Sequence, residues 1–165
     1  MNYEIVKIQA HSGNMATVYS VVIDNGKQTL YEQFLNDNKA THRQELKSIT
    51  NRLSIIGQKT GARANFFKHD EGKPGDGVCA LYDDPDNKLR LYCIRFANVA
   101  IILGGGGPKA KETKAWQDDK KLKVEAEIII QISKDIMNRL KSSEIQWSKD
   151  GTKLIGNLKF SDNEE

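Results

Sequence analysis

An α+β fold is what this 165-residue sequence predicts: a small antiparallel sheet packed by N-terminal helices and a long C-terminal helix. Three observations point there. Residues 78–103 contain three short apolar runs divided by turn residues, the pattern of a meander. Within residues 41–56, Leu46, Ile49, Leu53 and Ile56 fall at helical spacing. Leu122, Ala126, Ile129, Ile132, Ile136 and Leu140 then recur every three or four residues, which places a long helix across the sheet.

The elements follow in order. Residues 3–10 and 17–23 are β-rich runs on either side of His11-Ser12-Gly13-Asn14, an opening hairpin that Asp24-Asn25-Gly26 ends. A helical pair comes next, over 28–36 and 41–56, with Thr41 as the N-cap and Gly57 as the stop of the second helix. Residues 61–77 are rich in turn formers, and strands are predicted over 78–82, 88–96 and 99–103. Ala97-Asn98 supplies the last reversal of the meander. Gly104 to Gly107 read as a flexible exit from the sheet edge, carrying lysines to its rim. The closing IQWSKDGTKLIGNLKF reads as a hairpin turned at Lys149-Asp150-Gly151, and SDNEE as a fraying end. With no repeat and no low-complexity linker, residues 1–165 are read as one domain.

Composition excludes several functions. No stretch approaches the roughly 18 apolar residues that cross a bilayer, and MNYEIVKIQA lacks the basic-then-apolar pattern of a secretory signal, so a cytoplasmic protein is expected. Cys79 and Cys93 have no metal-ligand spacing and fall in predicted strands, which makes them buried free thiols; no metal and no cofactor is predicted. The glycine run is not a Walker loop, because Gly107 is followed by Pro108-Lys109-Ala110-Lys111 with no hydroxyl for magnesium. The net charge is only +3, yet residues 104–123 hold six lysines against Glu112, Asp118 and Asp119. A local basic patch of that kind holds phosphates even in a nearly balanced chain.

The order of elements and the residues inside them resemble the RelE/HigB superfamily of bacterial toxins, especially its phage-type branch, over about residues 28–141. Tyr31 to Ile56 looks like the family's helical pair, Gly77-Val78-Cys79-Ala80-Leu81-Tyr82 like its first central strand, and Leu89-Arg90-Leu91-Tyr92 like its arginine strand. The segment 101–111 looks like its apolar strand and basic loop. The opening hairpin (1–27) and the closing segment (145–165) lie outside the likeness and read as additions. The resemblance implies metal-independent cleavage of messenger RNA, usually on the ribosome, held in check by a small antitoxin.

It also implies a cationic site. A ribose 2′-hydroxyl attacks the adjacent phosphate, and fixed cations stabilise the phosphorane charge more than the ground state. Arg90 matches the phosphate-binding arginine, Lys109 and Lys111 fall on the basic loop, and Lys68 falls near a region that carries active-site lysines in some members. Lys114, Arg95, Trp116 and Tyr92 are the secondary candidates for RNA contact, Trp116 by stacking on a base. Arg95 has opposite strand parity to Arg90, so without a bulge the two occupy different faces. The chain departs from the family where Ala80-Leu81-Tyr82 replaces a strand ending in arginine, and no tyrosine or histidine follows the loop as a proton donor. Two alternatives stay open: a non-catalytic RNA- or protein-binding module of the same fold, and a phage-related accessory protein. An added hairpin is expected to serve a homodimer or antitoxin contact, since edge strands recruit strands.

Overall fold

The computed structural model of the chain describes residues 1–69, 71–109 and 119–162. The fold is α+β. Among the described residues, nine strands form a seven-stranded, mostly antiparallel sheet and a small two-stranded one, with three α-helices. In chain order these are β1 (Tyr3–Lys7), β2 (Thr17–Ile23), α1 (Leu30–Asn38), α2 (Arg43–Ile55), β3 (Phe67–Lys68), β4 (Val78–Tyr82), β5 (Leu89–Phe96), β6 (Ala100–Pro108), α3 (Lys120–Ser142), β7 (Ile145–Trp147), β8 (Leu154–Gly156) and β9 (Lys159–Phe160).

The large sheet runs β3-β4-β5-β6-β2-β1-β9, with the predicted meander β4-β5-β6 in it. β2 pairs in parallel with β6, Thr17 opposite Ala100 and Ser20 opposite Leu103. The opening hairpin, read from sequence as an addition, is therefore built into the sheet between β6 and β9. Strand alternation divides the core into two layers. On one face Tyr19, Ala80, Tyr92, Ile94 and Ile102 pack against Leu122, Ala126, Ile129, Ile132 and Ile136 of α3. On the other, Cys79, Leu81, Leu91, Cys93, Ile101 and Leu103 pack against Tyr31, Phe34, Ile49 and Leu53 of α1 and α2. The thiols of Cys79 and Cys93 are both free and buried, directly across the β4–β5 pair at 3.6 Å.

Helix boundaries differ from expectation by a turn or less, for local reasons. α1 starts at Leu30, because Thr29 and Glu32 form a reciprocal capping box that satisfies two end amides. Thr41 does not cap α2: His42 holds the N-cap position without a side-chain bond, and the Thr41 hydroxyl meets the His42 ring instead. Gly57 does not stop the helix either. The chain continues through a π-turn, Ile56–Thr60, and leaves it at Gly61 with φ 78°, a conformation that suits glycine.

The largest correction concerns the glycines. Gly104 to Gly107 are not a flexible exit but the buried second half of β6, paired to β5 as far as Leu89 opposite Pro108. Leu91 faces Gly106 while Cys93 faces Leu103, so β6 carries one extra residue across from Tyr92, a bulge. A Cβ on Gly106 would strike the carbonyl oxygen of Arg90, and one on Gly107 would press on the Lys121 side chain at 3.1 Å. Gly106→Ala is accordingly expected to lower stability by about 3 kcal/mol, the upper range for overpacking, because the obstacle is backbone; a urea melt giving a loss below about 1 kcal/mol would contradict this account.

Candidate functional site

Arg90, Tyr92, Lys68 and Lys109 are brought together at one end of the sheet, on the face that α3 covers. Pairing does this. Lys68 of β3 lies opposite Ala80, and Ala80 lies opposite Tyr92; Arg90 sits between Tyr82 and Gly107. Lys109 follows the end of β6, its amide donating to the Lys88 carbonyl at 2.7 Å. α3 begins here too. Its N-cap, Asp119, accepts from the Leu122 amide at 3.0 Å and bears electrostatically on Tyr92. The helix N-terminus thus adds a positive dipole end to the same region.

The electrostatics of this cluster are strained in one direction. Desolvation lowers the Lys109 pKa first, and the charges of Arg90 and Lys68 lower it further, with Glu71 opposing them in part. Burial pushes the Tyr92 phenol up to about 12, with the neighbouring Arg90 guanidinium restraining the rise. The Tyr92 hydroxyl is buried yet has no hydrogen-bond partner among the described residues; Arg90 lies beside it outside hydrogen-bond geometry. An unpaired buried hydroxyl costs about 1–3 kcal/mol. Two lysines crowded beside the Glu71-paired Arg90, and a buried hydroxyl with no partner among the described residues, are what an anion would satisfy.

Arg90, which the resemblance implies as the phosphate-binding arginine, is buried. It is 2% exposed and ion-paired with Glu71, Nη1 to Oε1 at 3.3 Å. Tyr92, expected to contact RNA, is fully buried behind it. Glu71 was missed by sequence reasoning. It sits in the turn-rich 61–77 segment with nothing in its spacing to mark it, and only the folded sheet brings it to Arg90.

Arg95 does not join the cluster. The bulge lies in β6, so β5 keeps its parity and Arg95 stays on the opposite face, donating to the Ala62 carbonyl and the Asn98 side chain, both at 2.7 Å. Lys111, Lys114 and Trp116 lie outside the described residues. On α3, Glu125 is also perturbed: burial raises its carboxyl pKa and one oxygen has no partner among the described residues, but the charges beside it are Lys121 and Asp37. It belongs to a separate contact, where Lys121 reaches Asp37 at 3.5 Å.

Fold and site together define an α+β protein with a cationic, partly buried cluster between a β-bulge and the start of its longest helix. The chain matches no protein-family model, no curated protein and no solved structure. Among the described residues no group of three or more His, Cys, Asp or Glu side chains is placed to hold a metal ion, and no helix is long and apolar enough to cross a membrane.

Proposed function

We propose that this chain is a metal-independent endoribonuclease of the RelE/HigB toxin type, acting on messenger RNA on the ribosome and restrained by a small antitoxin protein. The observation that carries the reading is the convergence of Lys68, Arg90 and Lys109, three residues from separate parts of the sequence, with the Tyr92 hydroxyl, unpaired among the described residues, beside Arg90. The order of helical pair, arginine strand, apolar strand and long helix agrees with the resemblance.

The chemistry assigned to the cluster is transesterification. The 2′-hydroxyl attacks the adjacent phosphorus and loses its proton to a carboxylate, the role assigned to Glu71, which is paired with Arg90. The 5′-oxygen leaves with a proton from the Lys109 ammonium. The products are a 2′,3′-cyclic phosphate and a free 5′-hydroxyl, so atoms and charge balance without a further reactant. Lys109 suits the donor role because an ammonium with a lowered pKa gives up its proton more readily. Arg90 and Lys68 stabilise the phosphorane oxygens, a contribution of about 10²–10³ for one well-placed donor.

One observation favours a second reading. Arg90 is already neutralised by Glu71 and nearly inaccessible, which suits a non-catalytic module that binds RNA through Lys68 and Lys109. Induced expression in bacteria, with Lys68→Ala and Lys109→Ala at equal soluble levels, separates the two. The ribonuclease reading expects growth arrest with new RNA ends, relieved by both substitutions; intact RNA retained by the purified protein would favour the binding module, and indifference to RNA would sink both.

A further inference from the structure

Residues 39–63, which run from the end of α1 through α2 to just past the π-turn, hold Lys39, Arg43, Lys47, Arg52, Lys59 and Arg63 against a single carboxylate, Glu45. That surplus exceeds the net charge of +3 of the whole chain, so the rest of the molecule is net negative. We propose that the outer face of α2 is a docking surface for duplex DNA, with the helix in the major groove and the cations at its two ends on the phosphates. This face lies across the sheet from Arg90 and Tyr92, and the proposal does not rest on the ribonuclease reading.

Unmatched charge is the first argument. Leu46, Ile49 and Leu53 turn one side of α2 to the sheet, while Gln44, Lys47, Asn51 and Ile55 recur every three or four residues on the reverse and are all exposed. Lys39, Arg43, Lys47, Lys59 and Arg63 are exposed as well, and none of the five has an ion-pair partner among the described residues. Arg52 is the exception, committed to Asp84 at 3.8 Å and to the Tyr82 carbonyl at 3.1 Å. Asp84 also bounds the face on that flank, where its amide donates to Ser48 at 3.0 Å. Like charges left uncompensated on one surface repel each other, and a polyanion that binds them also releases its own counterions.

Shape and side-chain chemistry choose the polyanion. The surface is the ridge of one helix, and the major groove of B-form DNA, about 12 Å wide, admits a helix, whereas that of A-form RNA is too narrow. With 13 residues α2 is about 20 Å long, so it overhangs such a groove at both ends. Lys39 and Arg43 stand at one end and Lys59 and Arg63 beyond the other, where the phosphate walls would lie. Between them the exposed stripe is mostly amide rather than charge. Gln44 and Asn51 carry the group that pairs with the adenine edge, and Ile55 offers an apolar surface of the kind that meets a thymine methyl. An acidic protein segment would engage the cations and leave those amides unused.

The test is fluorescence anisotropy with a labelled DNA duplex, an RNA duplex of the same sequence, and poly-glutamate as a competitor. The proteins are the full chain, an Arg43→Ala/Lys47→Ala double variant, and Lys109→Ala on the other side of the sheet. The full chain is expected to bind the DNA duplex more tightly than the RNA duplex. The double variant should weaken DNA binding about tenfold and lower its salt slope by about 1.8, which is two phosphate contacts at about 0.9 each. Its melting temperature should not change, because both side chains are exposed and unpaired among the described residues. A full chain that binds no DNA overturns the proposal, as does DNA binding that Lys109→Ala abolishes and the double variant keeps. RNA duplex or poly-glutamate bound as tightly as DNA overturns it too, in favour of that other partner.

Discussion

Lys109→Met is expected, on the proposed ribonuclease reading, to slow RNA cleavage by about 10²–10⁴-fold, the range for removing a positioned proton donor, while the folded protein melts at the same temperature or slightly higher. The pairing of these two results is the informative part. A lysine whose pKa is lowered in the folded state is one whose charged form the fold disfavours. At neutral pH both folded and unfolded chains carry that proton, so the unfavourable crowding with Arg90 and Lys68 is fully present. As pH rises through the folded pKa the native chain releases the proton first, the unfolded chain binds more protons, and stability rises until the ordinary value of 10.5 is passed. Methionine keeps the apolar stem and removes the charge. Its stabilising effect is therefore greatest at neutral pH and disappears in strong alkali. The rate should show the same group from the other side, with a basic limb below 10.5 in the wild type that Lys109→Met abolishes. Thermal melts and single-turnover cleavage across pH check both; a variant that melts several degrees lower would make Lys109 a structural residue.

Anion binding offers an independent reading of the same cluster. Whatever phosphate does to hold Lys109 in its charged form raises its pKa and adds to stability by mass action. Residues kept at such a cost to the fold are common at functional sites, where charge is arranged for a ligand rather than for the empty protein.

How much of this was legible in the sequence depends on the distance over which each feature is encoded. Strands and helices rest on periodicity within a few residues, and β4, β5, β6, α2 and α3 fall where the apolar pattern puts them. Parity arguments also survived: Arg95 and Arg90 do lie on opposite faces. Failures came where a neighbour far along the chain decides local structure. Gly104 to Gly107 favour a loop by composition, and become strand because Arg90 and Leu91 supply ladder partners while α3 closes over them. Nothing local to Arg90 marks its burial, since its partner Glu71 lies 19 residues earlier in sequence but 3.3 Å away in space. Lys68 and Lys109 were chosen from different segments by resemblance, and only the β3-β4-β5-β6 order places them together.

The closing segment gives the sharpest reversal, and the second large effect. An added hairpin could be removed with the core left intact, whereas deletion of residues 145–165 is expected to leave the chain unfolded. Ile145, Leu154 and Phe160 are all buried in the α3-side core. The Leu154 amide donates to the Tyr19 hydroxyl at 3.0 Å, which ties β8 to β2. Trp147 packs edge-on against Phe96 at 5.3 Å. Phe160 stacks on Tyr3 with centroids 4.5 Å apart, lies 3.6 Å beneath the Arg139 guanidinium, and belongs to β9, the strand that pairs with β1. Asp162 in turn holds the Met1 ammonium and, through its amide, Asn2, so the stretch read as fraying is anchored at least that far. Truncating one buried aliphatic or aromatic side chain costs about 2–5 kcal/mol. Three such losses, with the β9 ladder and an opened β1 edge, equal or exceed the roughly 5–15 kcal/mol that holds an ordinary domain together. Phe160→Ala alone should then lower stability by about 3–5 kcal/mol, which keeps the account testable if the truncated chain yields no soluble protein. A truncated chain with a native circular dichroism spectrum and a cooperative urea transition would restore the appended hairpin, and would return the β1 edge to the candidates for antitoxin or dimer contact.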